Sequence, residues 1–394
     1  MESASGQTNT TDNKSKILFV ITGLGTGGAE MMLYKLLTRI DRDQFSPTVA
    51  SMIPGGVFVE RIQKLNIKVF DLGMQPGIPN PSAIPKLIRL INQIQPDLIQ
   101  GWMYHANLLA QIANRFSNRR VPVFWSIHHS VDSLKAEKFA LAATIKLTAW
   151  VSPWIEKVVF SAAKGRKQHL ALGYSGNNAI AISDNFDISK YKPASNPQFD
   201  LRQSLNLPED TLLIGSVARY HPMKDHANLI DAAALLVKDH PEVHFILVGP
   251  DIDNQNPALL EQITKLDLAK QIHLLGERQD IPDLMSKLDI FTTSSAYGES
   301  FPNVLGEAMS CQIPCVATDI GDSKAIVADT GIVVPPRDPQ ALAQAWHELI
   351  VVGQDKRREL GIKARNQIET NFNLDGSNSF VKKYESIYHQ ALLN

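Results

Sequence analysis

The sequence predicts an α/β protein of two doubly wound parallel-sheet domains facing each other across a cleft. Short apolar runs alternate with stretches of helical period along almost the whole chain. The alternation pauses once, at residues 189–200, which are rich in Pro, Ser, Asn and Lys and read as a linker, and then restarts. The 394 residues suffice for two separate cores.

Residues 1–14 are polar, lack an apolar segment and read as a disordered leader. The first domain is expected over 15–188, with strands at 16–22, 47–53, 67–72, 97–102, 121–127 and 179–183. Helices are expected there at 29–40, 57–65, 84–94 and 107–116, with shorter pieces over 135–187. The second domain is expected over 201–376, with strands at 212–217, 243–248, 271–275, 289–293, 315–318 and 331–334. A closing helix over 377–394 carries Phe380, Tyr384, Ile387, Tyr388 and Ala391 on one stripe and is assigned to the first domain. Repeated βα units imply parallel strands covered on both faces by helices. Such sheets bind ligands outside the carboxyl ends of their strands, which here means in the cleft.

Composition is ordinary for a globular protein, 44% apolar and 20% charged. No apolar run reaches the ~20 residues that a membrane span needs, and a cytoplasmic protein is expected. Cys311 and Cys315 read as plain thiols, because a C-x3-C pair without nearby histidines is a poor zinc site. Net charge is −1, which offers no basic excess for nucleic acid. The charge is unevenly spread: residues 1–200 hold 22 Lys+Arg against 14 Asp+Glu, and the rest hold 17 against 26. Residues 142–174 mix Lys146, Trp150, Trp154, Lys157, Lys164, Arg166, Lys167 and Tyr174 with Ile145, Leu147, Ile155, Val158 and Phe160. That mixture suits an anionic membrane surface, so peripheral association with the inner face of the membrane is a candidate.

Seven residues separate Glu299 from Glu307, with Phe301, Pro302, Asn303, Val304 and Leu305 between them. A carboxylate before a turn can accept hydrogen bonds from sugar hydroxyls. The amides that open a helix can receive a diphosphate, and a second carboxylate one turn later can take ribose hydroxyls. This is equipment for a sugar nucleotide. A competing signal lies at Gly23, Gly25 and Gly28, which fit the G-x-G-x-x-G pattern of dinucleotide sites. That pattern also requires an acid at the end of the second strand, and Ser51-Met52-Ile53-Pro54 supplies none.

Four segments of the second half resemble the retaining glycosyltransferases of family 4, which have the GT-B fold. They are Gly215-Ser216-Val217-Ala218-Arg219 through Lys224-Asp225, Phe245 through Pro250, Leu275-Gly276-Glu277-Arg278 through Pro282, and the run from Glu299 to Glu307. In the first half, Gly27-Gly28-Ala29-Glu30 is similar to the family's G-G-A-E, and Trp102 through Asn107 is also family-like. The resemblance implies GT-B architecture and transfer of a hexose or N-acetylhexosamine, most commonly from a UDP-sugar, to a glycan or lipid-linked glycan. It implies no metal and no cofactor beyond the donor itself.

By the same resemblance, Glu299 holds the donor sugar and Glu307 the ribose. Arg219 and Lys224 meet the charge that grows on the leaving diphosphate, and Arg278 lines the base. Gly27 and Gly28 face the cleft. Of His128 and His129, His128 is preferred as the catalytic-side imidazole, and strand alternation sends the two apart. His105 and Asn107 are candidates on the acceptor side. One departure stands out: the family's N-G-(I/V)-D reads Asn185-Phe186-Asp187, so Phe186 either sits in a different turn or fills part of the cleft. Alternatives from other classes are a nicotinamide-linked oxidoreductase, a non-catalytic sugar-nucleotide-binding partner of another transferase, and a phosphorylase of the same fold.

Overall fold

The computed structural model describes residues 14–75, 81–131, 133–193, 200–377 and 379–393. Residues 1–13 of the expected leader and half of the expected linker, residues 194–199, lie outside them. The first half runs β1 (Ser15–Ile21), α1 (Gly28–Arg39), β2 (Phe45–Ser51), α2 (Val57–Gln63), β3 (Val69–Asp71), α3 (Ala83–Ile94) and β4 (Leu98–Trp102). It continues with α4 (Tyr104–Arg115), β5 (Val123–Ile127), α5 (Phe139–Val151), β6 (Lys157–Phe160), α6 (Ala163–Ala171) and β7 (Ala179–Ala181). Among the described residues these strands form one parallel sheet in the order β3-β2-β1-β4-β5-β6-β7.

The second half runs α7 (Leu201–Ser204), β8 (Leu213–Val217), α8 (His226–Leu236), β9 (His244–Val248), α9 (Pro257–Lys265), β10 (Ile272–Leu274), α10 (Ile281–Met285) and β11 (Ile290–Thr293). Then come α11 (Asn303–Ser310), β12 (Cys315–Thr318), α12 (Ser323–Val327), β13 (Ile332–Val334), α13 (Pro339–Val351), α14 (Gln354–Asn371) and α15 (Phe380–Leu393). Its parallel sheet has the order β10-β9-β8-β11-β12-β13. Strand order reverses between β1 and β4 in one sheet and between β8 and β11 in the other, and those crevices are where ligands settle in this architecture.

Each sheet is buried on both faces, which is why its central strands read as unbroken apolar runs. One face of the first sheet is covered by α3, α4 and α5, the other by α1, α2 and α15. The closing helix is stitched to that sheet by hydroxyls: Tyr384 Oη lies 2.6 Å from Ser126 Oγ, and Tyr388 Oη donates to Gln100 Oε1 at 3.2 Å. Pro47 is tolerated inside β2 because β3 pairs only from Val49 onward, so no ladder bond is asked of its nitrogen on that side.

Three expectations are corrected here. α4 starts at Tyr104 rather than residue 107, because Met103 adopts φ 76° and turns the chain directly off β4. Of the residues in 142–174 read as suited to a membrane surface, which span α5, β6 and α6, Ile145, Ile155, Val158, Phe160 and Tyr174 belong to the core. Phe186 does not enter the cleft. It is buried at the hinge between the domains, its ring stacked on Phe301 at 5.6 Å and seated on the backbone of Gly306, where a Cβ would come within 2.2 Å of it.

Candidate functional site

The second domain's crevice is built from the exits of β8 and β11. After β8 the chain passes Arg219 and makes a 3-10 turn at Pro222–Lys224, and after β11 it runs through Ser294 to Glu299. The two exits are tied together. Ala296 N donates to Met223 O at 2.8 Å, and Ser294 Oγ donates to Lys224 O at 2.7 Å. Lys224 Nζ forms an ion pair with Glu299 Oε1, and Ser295 Oγ donates to the same oxygen. Oε2 therefore remains for a ligand. Gly298 turns the chain with φ 76°, a conformation that suits glycine. Arg219 is exposed beside this pair and faces Glu30 of the first domain.

α11 begins at Asn303, with Ser300, Phe301 and Pro302 between it and Glu299. Pro302 is its N-cap, and no side chain among the described residues caps it. The amides of Asn303 and Val304 have no acceptor among the described residues, and with the helix dipole they form an anion-binding end. Leu305 does not share this role: its amide donates to Pro302 O at 3.1 Å and its side chain is fully buried. Phe301 is corrected likewise. It is buried against Phe186 and Phe372, so its side chain is core rather than lining.

Glu307 lies one turn into α11. Burial pushes its carboxyl above the ordinary range, while Lys35, Lys190 and a hydrogen bond from Tyr191 pull it back. Arg278 sits near the end of β10, locked to Asp280, with Nε donating to Oδ1 at 2.8 Å. That pairing commits its guanidinium and leaves the loop's backbone as the free surface.

The first domain meets this crevice with less charge. Gly27 is the extended N-cap of α1, and Gly28 opens the helix opposite Asn303, whose Nδ2 would stand 3.7 Å from a Cβ there. Glu30 folds back over Gly27, and burial raises its carboxyl pKa. His128 stacks on Trp102, with centroids 4.8 Å apart. Its Nε2 is buried without a partner among the described residues, and burial lowers the imidazole to about 3, so it is neutral at ordinary pH. His129 goes the other way: Nε2 meets Glu137 Oε1 at 2.8 Å, and Cε1 would touch a Cβ at Gly298 at 3.5 Å. His129 is thus the imidazole set against the donor-side turn. His105 is exposed on the first turn of α4. Asn107 is corrected: it is fully buried, its amide donates to Ser126 O at 3.2 Å, and it serves to fix α4 on the sheet.

Across the cleft the domains touch through polar contacts that motif reading passed over. Lys35 Nζ, held at 3.1 Å by Asp184 Oδ2 of its own domain, reaches Asn303 Oδ1 of the other at 3.4 Å. Asp322 caps α6 from the other domain, accepting from the amides of Ala163 and Lys164 at 2.8 and 3.0 Å. Its own amide donates to Ser300 O at 2.9 Å, and Ser300 Oγ meets Ser161 Oγ at 2.9 Å. The capping pair is 158 or more residues apart, so no local pattern announces it. Among the described residues, no group of three or more His, Cys, Asp or Glu side chains could hold a metal ion.

Comparison with known proteins agrees with this geometry. Residues 197–367 match the family described as Glycosyl transferases group 1, and residues 26–182 match Glycosyltransferase Family 4. The chain belongs to the group 1, family 4 glycosyltransferases. It is 28% identical over 336 residues to the UDP-Gal:alpha-D-GlcNAc-diphosphoundecaprenol alpha-1,3-galactosyltransferase of Escherichia coli, covering 80% of this chain and 81% of that one. It is 24% identical to the putative glycosyltransferase EpsF of Bacillus subtilis, covering 78% and 80%. Among solved structures, Anabaena Alr3699/HepE in complex with UDP-glucose superposes with a TM-score of 0.80 at 25% identity, over 95% of this chain and 98% of that one. The two facing Rossmann-like domains are the GT-B fold.

Proposed function

We propose that this glycosyltransferase moves a hexose or N-acetylhexosamine from a UDP-sugar to a glycan or lipid-linked glycan, with retention and without a metal, in cell-surface polysaccharide or glycolipid synthesis. The observation that carries the reading is the second domain's crevice. Arg219, the Lys224–Glu299 pair and the free amides of Asn303 and Val304 all lie on the two segments that leave β8 and β11 and are tied to each other there. The UDP complexes of Alr3699/HepE and the UDP-Gal donor named for the E. coli relative support the donor class. That relative's diphosphoundecaprenol acceptor supports a lipid-linked one, hence a cytoplasmic enzyme working at the inner face of the membrane.

In this reading the acceptor oxygen bonds to the anomeric carbon as the bond from that carbon to the β-phosphate oxygen breaks. The acceptor's proton passes to the departing diphosphate. Negative charge grows on that leaving group, and Arg219, Lys224 and the start of α11 are already in place to meet it, so little reorganisation is needed. Glu299 Oε2 takes donor-sugar hydroxyls, Glu307 the ribose, and the backbone around Arg278 the base. Gly27 and Gly28 let the first domain approach, and His128, His129 and His105 border the acceptor.

The test is a thermal-shift panel of nucleoside diphosphates and their sugars with EDTA present, on wild type and Glu307→Ala. UDP and one UDP-sugar raise the melting temperature by mass action, about 2.7 kcal/mol at a hundredfold excess over Kd, and the variant loses the shift. A shift with NADH and none with any nucleotide sugar would overturn the reading in favour of a dinucleotide enzyme.

A further inference from the structure

α5 is apolar on every side yet covered on only one. From Phe139 to Val151 it carries a single charged residue, Lys146. A helix apolar all round belongs in an interior. Its inner side obeys, with Ile145, Thr148 and Ala149 buried on the sheet. Its outer side does not: Phe139 is 89% exposed, Leu147 47%, Trp150 68% and, in the following turn, Trp154 63%. Ala143, Leu147, Trp150 and Trp154 succeed one another at helical spacing, and the two indoles pack edge to face with centroids 5.3 Å apart. On the neighbouring α4, Phe116 is 69% exposed at the C-terminal end.

The surroundings are basic. Residues 112–167 hold ten Lys+Arg against three Asp+Glu, and Arg115, Arg119, Lys138 and Lys146 are exposed. An isologous contact with a second copy would set these like charges against one another, whereas an anionic surface complements them. Indoles flanked by lysines are what a bilayer interface selects. The stripe begins on the side of the second domain: the imidazole of His221 there is lowered by burial first, then by Arg219, Lys224 and Lys138.

We propose that the α4–α5 face docks on an anionic lipid bilayer, with Trp150, Trp154 and Phe139 in the interfacial layer and the basic residues on lipid phosphates. This rests on the lipid-linked acceptor proposed above, whose headgroup would then enter the cleft from the membrane side.

The test uses the full chain with vesicles of phosphatidylcholine alone or with phosphatidylglycerol, at low and high salt. Wild type sediments with the anionic vesicles, less so at high salt. Trp150→Glu/Trp154→Glu weakens sedimentation about tenfold or more, while its thermal shift with UDP is unchanged. Trp102, Trp125 and Trp346 are fully buried, so quenching by bromolipid reports Trp150 and Trp154 in wild type and needs no variant. Absence of wild-type sedimentation, sedimentation unchanged in the variant, or no bromolipid quenching would each overturn the proposal. So would a wild-type dimer that the variant converts to monomer, since a second copy would then cover the face. Vesicle binding by a wild type that shows no UDP shift would sink the donor reading and leave the docking face standing.

Discussion

The crevice above β8 and β11 is lined with charge, whereas the one above β1 and β4 is lined with glycine and aromatic rings. Both sit at a reversal of strand order, so topology alone does not distinguish them. Under the function proposed above, the difference follows from what each holds. A diphosphate is a fixed, strongly charged object and repays preplaced cations, free amides and a carboxylate brace. The opposite wall, with Gly27, Gly28 and His128 stacked on Trp102, offers close backbone approach and a neutral imidazole. In the proposed function, one wall is specified for a common donor and the other leaves room for an acceptor.

Acid should weaken both halves. Burial lowers the imidazoles of His128 and His169 in the first domain to about 3 and about 4, and that of His226 in the second to about 4. Their unfolded values are about 6.5. Between about pH 6.5 and pH 4 the unfolded chain therefore binds protons that the folded chain does not, and stability falls as pH falls. Each histidine costs up to about 2 kcal/mol at pH 5. Calorimetry at pH 7 and pH 5 should show a lower melting temperature at pH 5. Burial also lowers His105 in the first domain and His221, His244 and His273 in the second, so hydrogen exchange should show both domains loosening, and unchanged protection in either would break this account.

At the charged wall, Arg219→Ala and Lys224→Ala should each lower kcat by about 10²–10³. Lys224→Ala should also free Glu299 and weaken the thermal shift with UDP. A variant that keeps full turnover would remove that cation from the account of leaving-group stabilisation.

At the hinge, Gly306→Ala forces a Cβ against the Phe186 ring, from which it would stand 2.2 Å. The overpacking should cost about 3 kcal/mol in denaturant unfolding. Gly306→Ala combined with Phe186→Ala should cost less than the sum of the two single changes, because the clash is absent from the double variant.

The smallest effect belongs to the contact between the walls. Asp322→Ala removes the cap on α6 and should lower stability by about 1 kcal/mol. If proteolysis at the hinge is no faster in that variant, the cap does not help hold the domains together.

Much of this site was legible beforehand because it is local. Glu299, Asn303, Val304 and Glu307 lie on one turn and one helix, and Arg219 and Lys224 on one loop, so spacing alone groups them. Phe301, Leu305 and Asn107 were misassigned because a motif names positions and not the direction in which a side chain points. The glycine-rich loop was ambiguous for the same reason.

By itself the sequence determined the alternation of strand and helix, the two parallel sheets, the anion-binding start of α11 and the helix that closes the chain. These follow from periodicity and from backbone groups that any short segment carries with it. Tertiary structure alone decided that Phe186 is hinge core, that His129 rather than His128 meets the Gly298 turn, that Asp322 caps a helix of the other domain, and which residues of 142–174 remain exposed. Each depends on groups brought together from distant parts of the chain, and burial and pairing across such distances are properties of the packed whole.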